Sequence, residues 1–105
     1  MEEMSEHLGI CVATKKNLEH VIGLAKAAKA AGKVVEIFFT GEGVHHTKDP
    51  RFGELLDTGK VKVCEVSYIA NGYKGQEVPG LVDKDFVTQG RNAEMVDECE
   101  RYIIL

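Results

Sequence analysis

The sequence has no excess of positive charge, no C-x-x-C pair, and no apolar run near the ~20 residues that a bilayer-crossing helix needs. Each lack excludes something. Lys and Arg number 13 against 17 Asp and Glu, for a formal net charge of -4. Such a balance offers no basic stripe to a nucleic-acid backbone. Lys15 and Lys16 are the only adjacent basic pair, and Glu19 follows them. The cysteines are three, Cys11, Cys64 and Cys99. An odd number without close spacing fits neither a disulfide framework nor a zinc ribbon. The acidic start MEEMSEH lacks the apolar stretch of a signal peptide. The expectation is a cytoplasmic chain with free thiols, bound to neither membrane nor nucleic acid. Cofactor motifs are missing too. Gly41 and Gly43 open a G-x-G, but His46 stands where G-x-G-x-x-G needs its third glycine. No Walker loop, Ser-His-Asp pattern, paired acidic motif or nucleophile elbow occurs, so no cofactor is expected.

What is present is an ordinary globular chain. Its 105 residues, 44 % apolar and 29 % charged, fit one domain spanning 1–105, with Met1 to His7 as a frayed lead-in. Leu8 to Ala13 is a nearly continuous apolar run, as in a strand covered on both faces. Leu18, Val21, Ile22, Ala25 and Ala28 recur at helical spacing, with Thr14 or Asn17 as cap and Gly32 as stop. Val34 to Phe39 is a second strand, followed by the loop T-G-E-G-V-H-H-T. Asp49-Pro50 starts a short helix that buries Phe52, Leu55 and Leu56. Val61 to Val66 is a third strand, with Lys62, Cys64 and Val66 on one side and Val61, Val63 and Glu65 on the other. Ser67 to Gly75 reads as a helical turn or loop. A turn near Asp83 and a weak strand around Phe86 to Thr88 follow. A helix over Asn92 to Glu100 carries Met95, Val96 and Cys99 inward, and Tyr102 to Leu105 is a last strand that can lie at an exposed edge.

Strands alternating with helical crossovers predict parallel pairing. The expected architecture is a three-layer α/β/α sandwich with a mostly parallel sheet of four or five strands. Ligands of such sheets bind at the carboxyl ends of the strands. Three segments meet there: Thr14; the stretch Gly41 to His46; and Cys64 to Gly72. Cys64 sits near a strand end, where backbone N–H donors favour the reactive thiolate over the thiol. The plainer reading makes it a small buried hydrophobe, the expected role of Cys11 and Cys99. His45 or His46 can face the crevice as an acid, base or anion partner, or both are solvated loop residues. A metal held by one of them with Cys64 lacks further ligands, so no metal site is expected. Gly41 and Gly43 suit a positive-φ turn. Tyr68 and Tyr73 flank the third loop, where they can line a small pocket or a subunit contact or serve as core or rim residues.

Taken together, three segments resemble the DsrE/DsrF-like family of small sulfur-relay proteins. They are VVEIFFTGEGVHH, a strand ending in an aromatic pair and a Gly-Val-polar loop; VKVCEVSYIANG, a strand-end cysteine with Ser67 three residues on and Gly72 beyond; and the tail MVDECERYIIL. The resemblance covers roughly Leu8 to Leu105. It implies a five-stranded parallel sandwich that assembles as a dimer, trimer or hexamer. It also implies that Cys64 carries sulfane sulfur as a persulfide, exchanged with donor and acceptor proteins or small thiols. The pocket would draw on Gly41, Gly43, His45, His46, Ser67, Tyr68 and Gly72. Two positions depart from the pattern. Ser67 stands where some relatives have a second cysteine, and Asn71 where an arginine often precedes the loop glycine. The competing reading is a non-catalytic ligand-binding or assembly subunit of the same fold.

Overall fold

A computed structural model describes residues 6–105. The lead-in expected over Met1 to His7 falls mostly outside the described residues. Its last part is corrected: the Glu6 carbonyl accepts a bond from the Val34 N–H, and His7 already belongs to the first strand.

Five strands form one sheet: β1 (His7–Val12), β2 (Val34–Phe39), β3 (Gly59–Cys64), β4 (Phe86–Val87) and β5 (Arg101–Ile104). Their order is β4-β3-β2-β1-β5 and every pairing is parallel. This is the α/β sandwich that the alternation predicts, with five strands. The helices are α1 (Leu18–Ala30), α2 (Glu65–Ala70) and α3 (Gln89–Glu98). Shorter 3-10 segments span Gly41–Lys48, Phe52–Asp57 and Asp83–Asp85.

The two faces of the sheet are unequal. One face carries Leu8, Ile10 and Val12, then Val35, Ile37 and Phe39, then Val61 and Val63. Against it pack Leu18, Val21, Ile22, Ala25 and Ala28, the whole expected stripe of α1, with Phe52 and Leu55. A fully buried side chain of this size contributes roughly 1.5–3 kcal/mol, so this face dominates stability. The other face is thin: Cys11, Phe38 and Cys64 meet Met95 of α3.

α1 ends as its sequence dictates. Gly32 takes φ +83, its N–H bonds the Lys29 carbonyl and the Lys33 N–H bonds the Ala28 carbonyl. That is a Schellman closure, open to glycine because it has no Cβ. Asn17 precedes α1 in a left-handed conformation without a side-chain capping bond.

Several details differ from expectation. The T-G-E-G-V-H-H-T loop winds into 3-10 turns over Gly41–Lys48, because each turn closes locally without an apolar stripe. The third strand stops at Cys64 rather than Val66, since Glu65 opens α2. Val96 points outward, half exposed, on a helix that buries Met95 alone. Finally, α3 begins at Gln89, three residues before Asn92, because Thr88 accepts the Gly90 N–H as its cap.

Candidate functional site

The parallel register decides which residues share the carboxyl rim. Phe39 pairs with Val63 and Cys64 with Val87. Thr40, Cys64 and the Thr88-Gln89 start of α3 are therefore neighbours at the ends of three adjacent strands. Cys64 is the last residue of β3 and the residue before α2, in extended conformation.

Its sulfur is enclosed but not among aliphatic groups alone. The residue is 2 % exposed, with Phe38, Met95 and Val87 packed beneath it. Above it lies a polar ring. The Gln89 side-chain amide stands 3.3 Å from Sγ and also donates to the Thr40 hydroxyl at 2.7 Å. The Thr40 and Ser67 hydroxyls are 3.4 Å apart. The Gly41 N–H donates to Ser67 Oγ at 2.9 Å, and Asn71 Nδ2 donates to the Gly41 and Ser67 carbonyls. The side chains of Thr40, Ser67, Asn71 and Gln89 are thus tied to one another or to the backbone around the sulfur.

This ring sets the charge preference of the thiol. Burial pushes the Cys64 pKa up; the Ser67 hydroxyl and backbone N–H, the Gln89 amide and the Thr40 hydroxyl pull it down and prevail, leaving it below the ordinary thiol value. The other two thiols behave oppositely. Burial raises Cys11, partly offset by the Tyr102 hydroxyl. Burial raises Cys99 as well, with the nearby Glu36 and Glu98 charges adding to it. Of the three thiols, Cys64 alone is shifted toward its anion, and it stands at the carboxyl end of β3.

Of the other candidates, Ser67 and Gly41 join Cys64 in this ring. Gly41 has φ +53, the turn expected of it. Gly43 serves a different need: a Cβ there would lie 2.0 Å from the Val12 carbonyl oxygen. His46 is buried, bonds the Thr14 carbonyl at 2.8 Å and sets its ring edge-on to Phe39. His45 bonds the Tyr73 hydroxyl at 2.6 Å. The hydrogen bonds of both histidines lead away from Cys64, and among the described residues no three His, Cys, Asp or Glu side chains gather as a metal site. Gly72, at φ +92, closes α2 with a second Schellman pattern: its N–H bonds the Ile69 carbonyl and the Tyr73 N–H bonds the Tyr68 carbonyl.

Tyr68 is buried. Its hydroxyl accepts from Lys48 Nζ at 2.7 Å and donates to the Gln76 carbonyl at 2.9 Å. It also lines a groove of about 680 Å³ between α2 and residues 74–86, with Ile69, Val78, Leu81, Val82 and Phe86. Glu65, Lys74, Glu77 and Asp83 add charge to its walls. Cys64 is not among its lining residues.

Two members of the ring, Thr40 and Gln89, escaped the sequence reading. Thr40 was visible as the residue before the Gly41 turn. Gln89 had no local signal, because a two-residue strand brings it to the rim. No protein-family model matches the chain, and no curated protein matches it.

Proposed function

We propose that the chain is a DsrE/DsrF-like sulfur carrier that holds sulfane sulfur as a persulfide on Cys64. The observation that carries this reading is the donor ring of Ser67, Thr40 and Gln89 around a strand-end sulfur, which favours its anion. In loading, the Cys64 thiolate attacks the outer sulfur of a donor persulfide, R–S–SH. A new S–S bond forms, the donor S–S bond breaks, and the donor leaves as thiolate. In unloading, an acceptor thiolate attacks the outer sulfur and Cys64 leaves as thiolate. Both steps are exchanges without net oxidation, governed by thiolate fraction and access. Ser67 supplies a hydroxyl to the anion where a second cysteine would supply a thiol. Cys64 therefore releases its sulfur to another molecule, not to a neighbouring cysteine three residues on.

The donor and acceptor are proteins or small thiols of a reducing cytoplasm, a setting supported by three cysteines that are all free. No helix of the described residues is long and apolar enough to cross a membrane. Assembly as a homo-oligomer is supported by β5, a sheet edge whose Ile104 is 67 % exposed. Light scattering that gives the single-chain mass of 11.6 kDa would remove the oligomer from the reading.

The test of the carrier is direct. The protein is incubated with glutathione persulfide and its peptides are mapped by mass spectrometry. An adduct of about 32 Da, one sulfur, is expected on the Cys64 peptide and not in Cys64→Ser. Labelling that appears only after unfolding, equally on all three cysteines, overturns it.

The 680 Å³ groove beside α2 favours a second reading, a non-catalytic subunit that binds a small ligand or a partner. That reading expects an inert Cys64 in the folded protein.

A further inference from the structure

A buried thiol that exchanges sulfur needs a route to solvent. Around Cys64, Phe38, Met95 and Cys11 are buried, and Val87, Thr40 and Ser67 are half-buried. Of these neighbours Gln89 is exposed, and its amide spans from Cys64 Sγ to Thr40 Oγ1. The backbone beneath it is held firmly. Two residues on, Arg91 grips Glu36 through two bonds of 2.6 Å. Asn92 accepts the Tyr102 hydroxyl at 2.5 Å, and Met95 is fully buried. Helix α3 is anchored, while the Gln89 side chain has three rotatable bonds and one good acceptor. Opening the rim requires a rotamer change, a fast event for an exposed side chain, not movement of the helix.

The loaded state makes the same demand. An added sulfur stands about 2.05 Å from Sγ. The Gln89 nitrogen occupies a point 3.3 Å from Sγ. A sulfur added toward the rim cannot coexist with that nitrogen at van der Waals separation.

We propose that Gln89 is the side-chain gate and positioning residue of Cys64. Closed, it donates to the sulfur and excludes water. Turned outward, it admits the reacting sulfur while Ser67 and Thr40 continue to hold the anion. In the persulfide form it stays displaced, and the Gln89–Thr40 bond is broken. The gate rests on the reading of Cys64 as the reacting thiol, but it is tested without any sulfur donor.

The experiment follows iodoacetamide alkylation of the Cys64 peptide in the full chain across pH. The rate profile gives two readouts, the limiting rate of the thiolate and the midpoint of its ionisation. Gln89→Ala should raise the limiting rate at least about fivefold, because access increases, and shift the midpoint upward, because a donor is lost. Gln89→Glu should shift the midpoint further upward, since a carboxylate opposes the thiolate. Thr40→Val removes the acceptor that holds Gln89 shut, keeps a strand-compatible shape, and should also raise the limiting rate. A merely structural Gln89 would change stability and leave both readouts in place. Limiting rates within twofold of the parent in both Gln89→Ala and Thr40→Val, with an unmoved midpoint, overturn the gate. Persulfide mapping of the parent protein reads the relay separately, so either idea fails alone.

Discussion

Arg91 and Glu36 form a two-bond ion pair, each bond 2.6 Å, that fastens α3 to the middle of the sheet. Glu36 is 8 % exposed on central strand β2, where an unpaired carboxylate is costly. The pair also helps hold α3 in place, since Met95 is the one residue of that helix buried against the sheet. Removing Arg91 leaves the carboxylate buried and uncompensated. Arg91→Ala is therefore expected to lose on the order of 3 kcal/mol in urea unfolding. Arg51→Ala, which breaks the exposed Arg51–Glu54 pair, should shift the midpoint little. Because Gln89 rides on α3, Arg91→Ala should also speed alkylation of Cys64. Equal midpoints for the two variants would mean that the ion pair does not hold the helix.

The opposed pKa shifts give a signed dependence of stability on pH. Cys64 is lowered in the folded state. Its contribution is complete above the unfolded value, near 9.0, and is lost as pH falls through the folded value. Cys11, Cys99 and Tyr102 are raised. Their contributions are complete below the unfolded values and disappear as pH rises through the folded ones. Above neutral pH the Cys64 contribution therefore runs opposite to those of Cys11, Cys99 and Tyr102. Cys64→Ser removes the opposing contribution, so between neutral and alkaline pH it should lose more stability than the parent. Unfolding midpoints of the two proteins across this range check it; a smaller loss in Cys64→Ser contradicts the assignment.

Much of this was readable in the residues, and the parts that were not have a common cause. The α1 stripe and β2 follow from local period and β-branched content, and both match residue for residue. Cys64 at the rim follows from a strand that ends there. The 3-10 segment over Gly41–Lys48 was hidden because glycines and paired histidines read as loop, although their turns close on themselves. Gln89 and His46 were hidden for another reason. Their roles depend on which strands are neighbours and on a distant backbone carbonyl, which no window of sequence contains.

Two glycines show how close approach differs from ordinary helix propensity. Gly43 has no positive φ, but an added Cβ would meet the Val12 carbonyl oxygen at 2.0 Å and its carbon at 2.8 Å. Backbone cannot rotate away as a side chain can, so Gly43→Ala should cost at least about 1–3 kcal/mol. Gly23 lies on the exposed side of α1, with nothing within 4 Å of a Cβ. Gly23→Ala should stabilise by about 0.5–1 kcal/mol by restricting the unfolded chain. Thermal unfolding of the two variants should move in opposite directions. A neutral Gly43→Ala would show that the Gly41–Lys48 segment is free to slide off β1.

His46 separates scaffold from site. Its ring joins the first rim segment to the second through the Thr14 carbonyl at 2.8 Å, and it packs on Phe39. Replacing it by alanine leaves the Thr14 carbonyl without this donor and opens space beside Phe39. The expected loss is about 1–3 kcal/mol. His45→Ala breaks only the half-buried contact with Tyr73, and its loss should be smaller. Neither ring touches the groups that hold the Cys64 anion, which are Ser67, Gln89 and Thr40. The alkylation midpoint of Cys64 should therefore be the same in His46→Ala as in the parent, although the protein unfolds more readily. A midpoint that moves with His46→Ala, under conditions where the variant is fully folded, would bring this histidine into the thiol's electrostatic surroundings and extend the site to the end of β1.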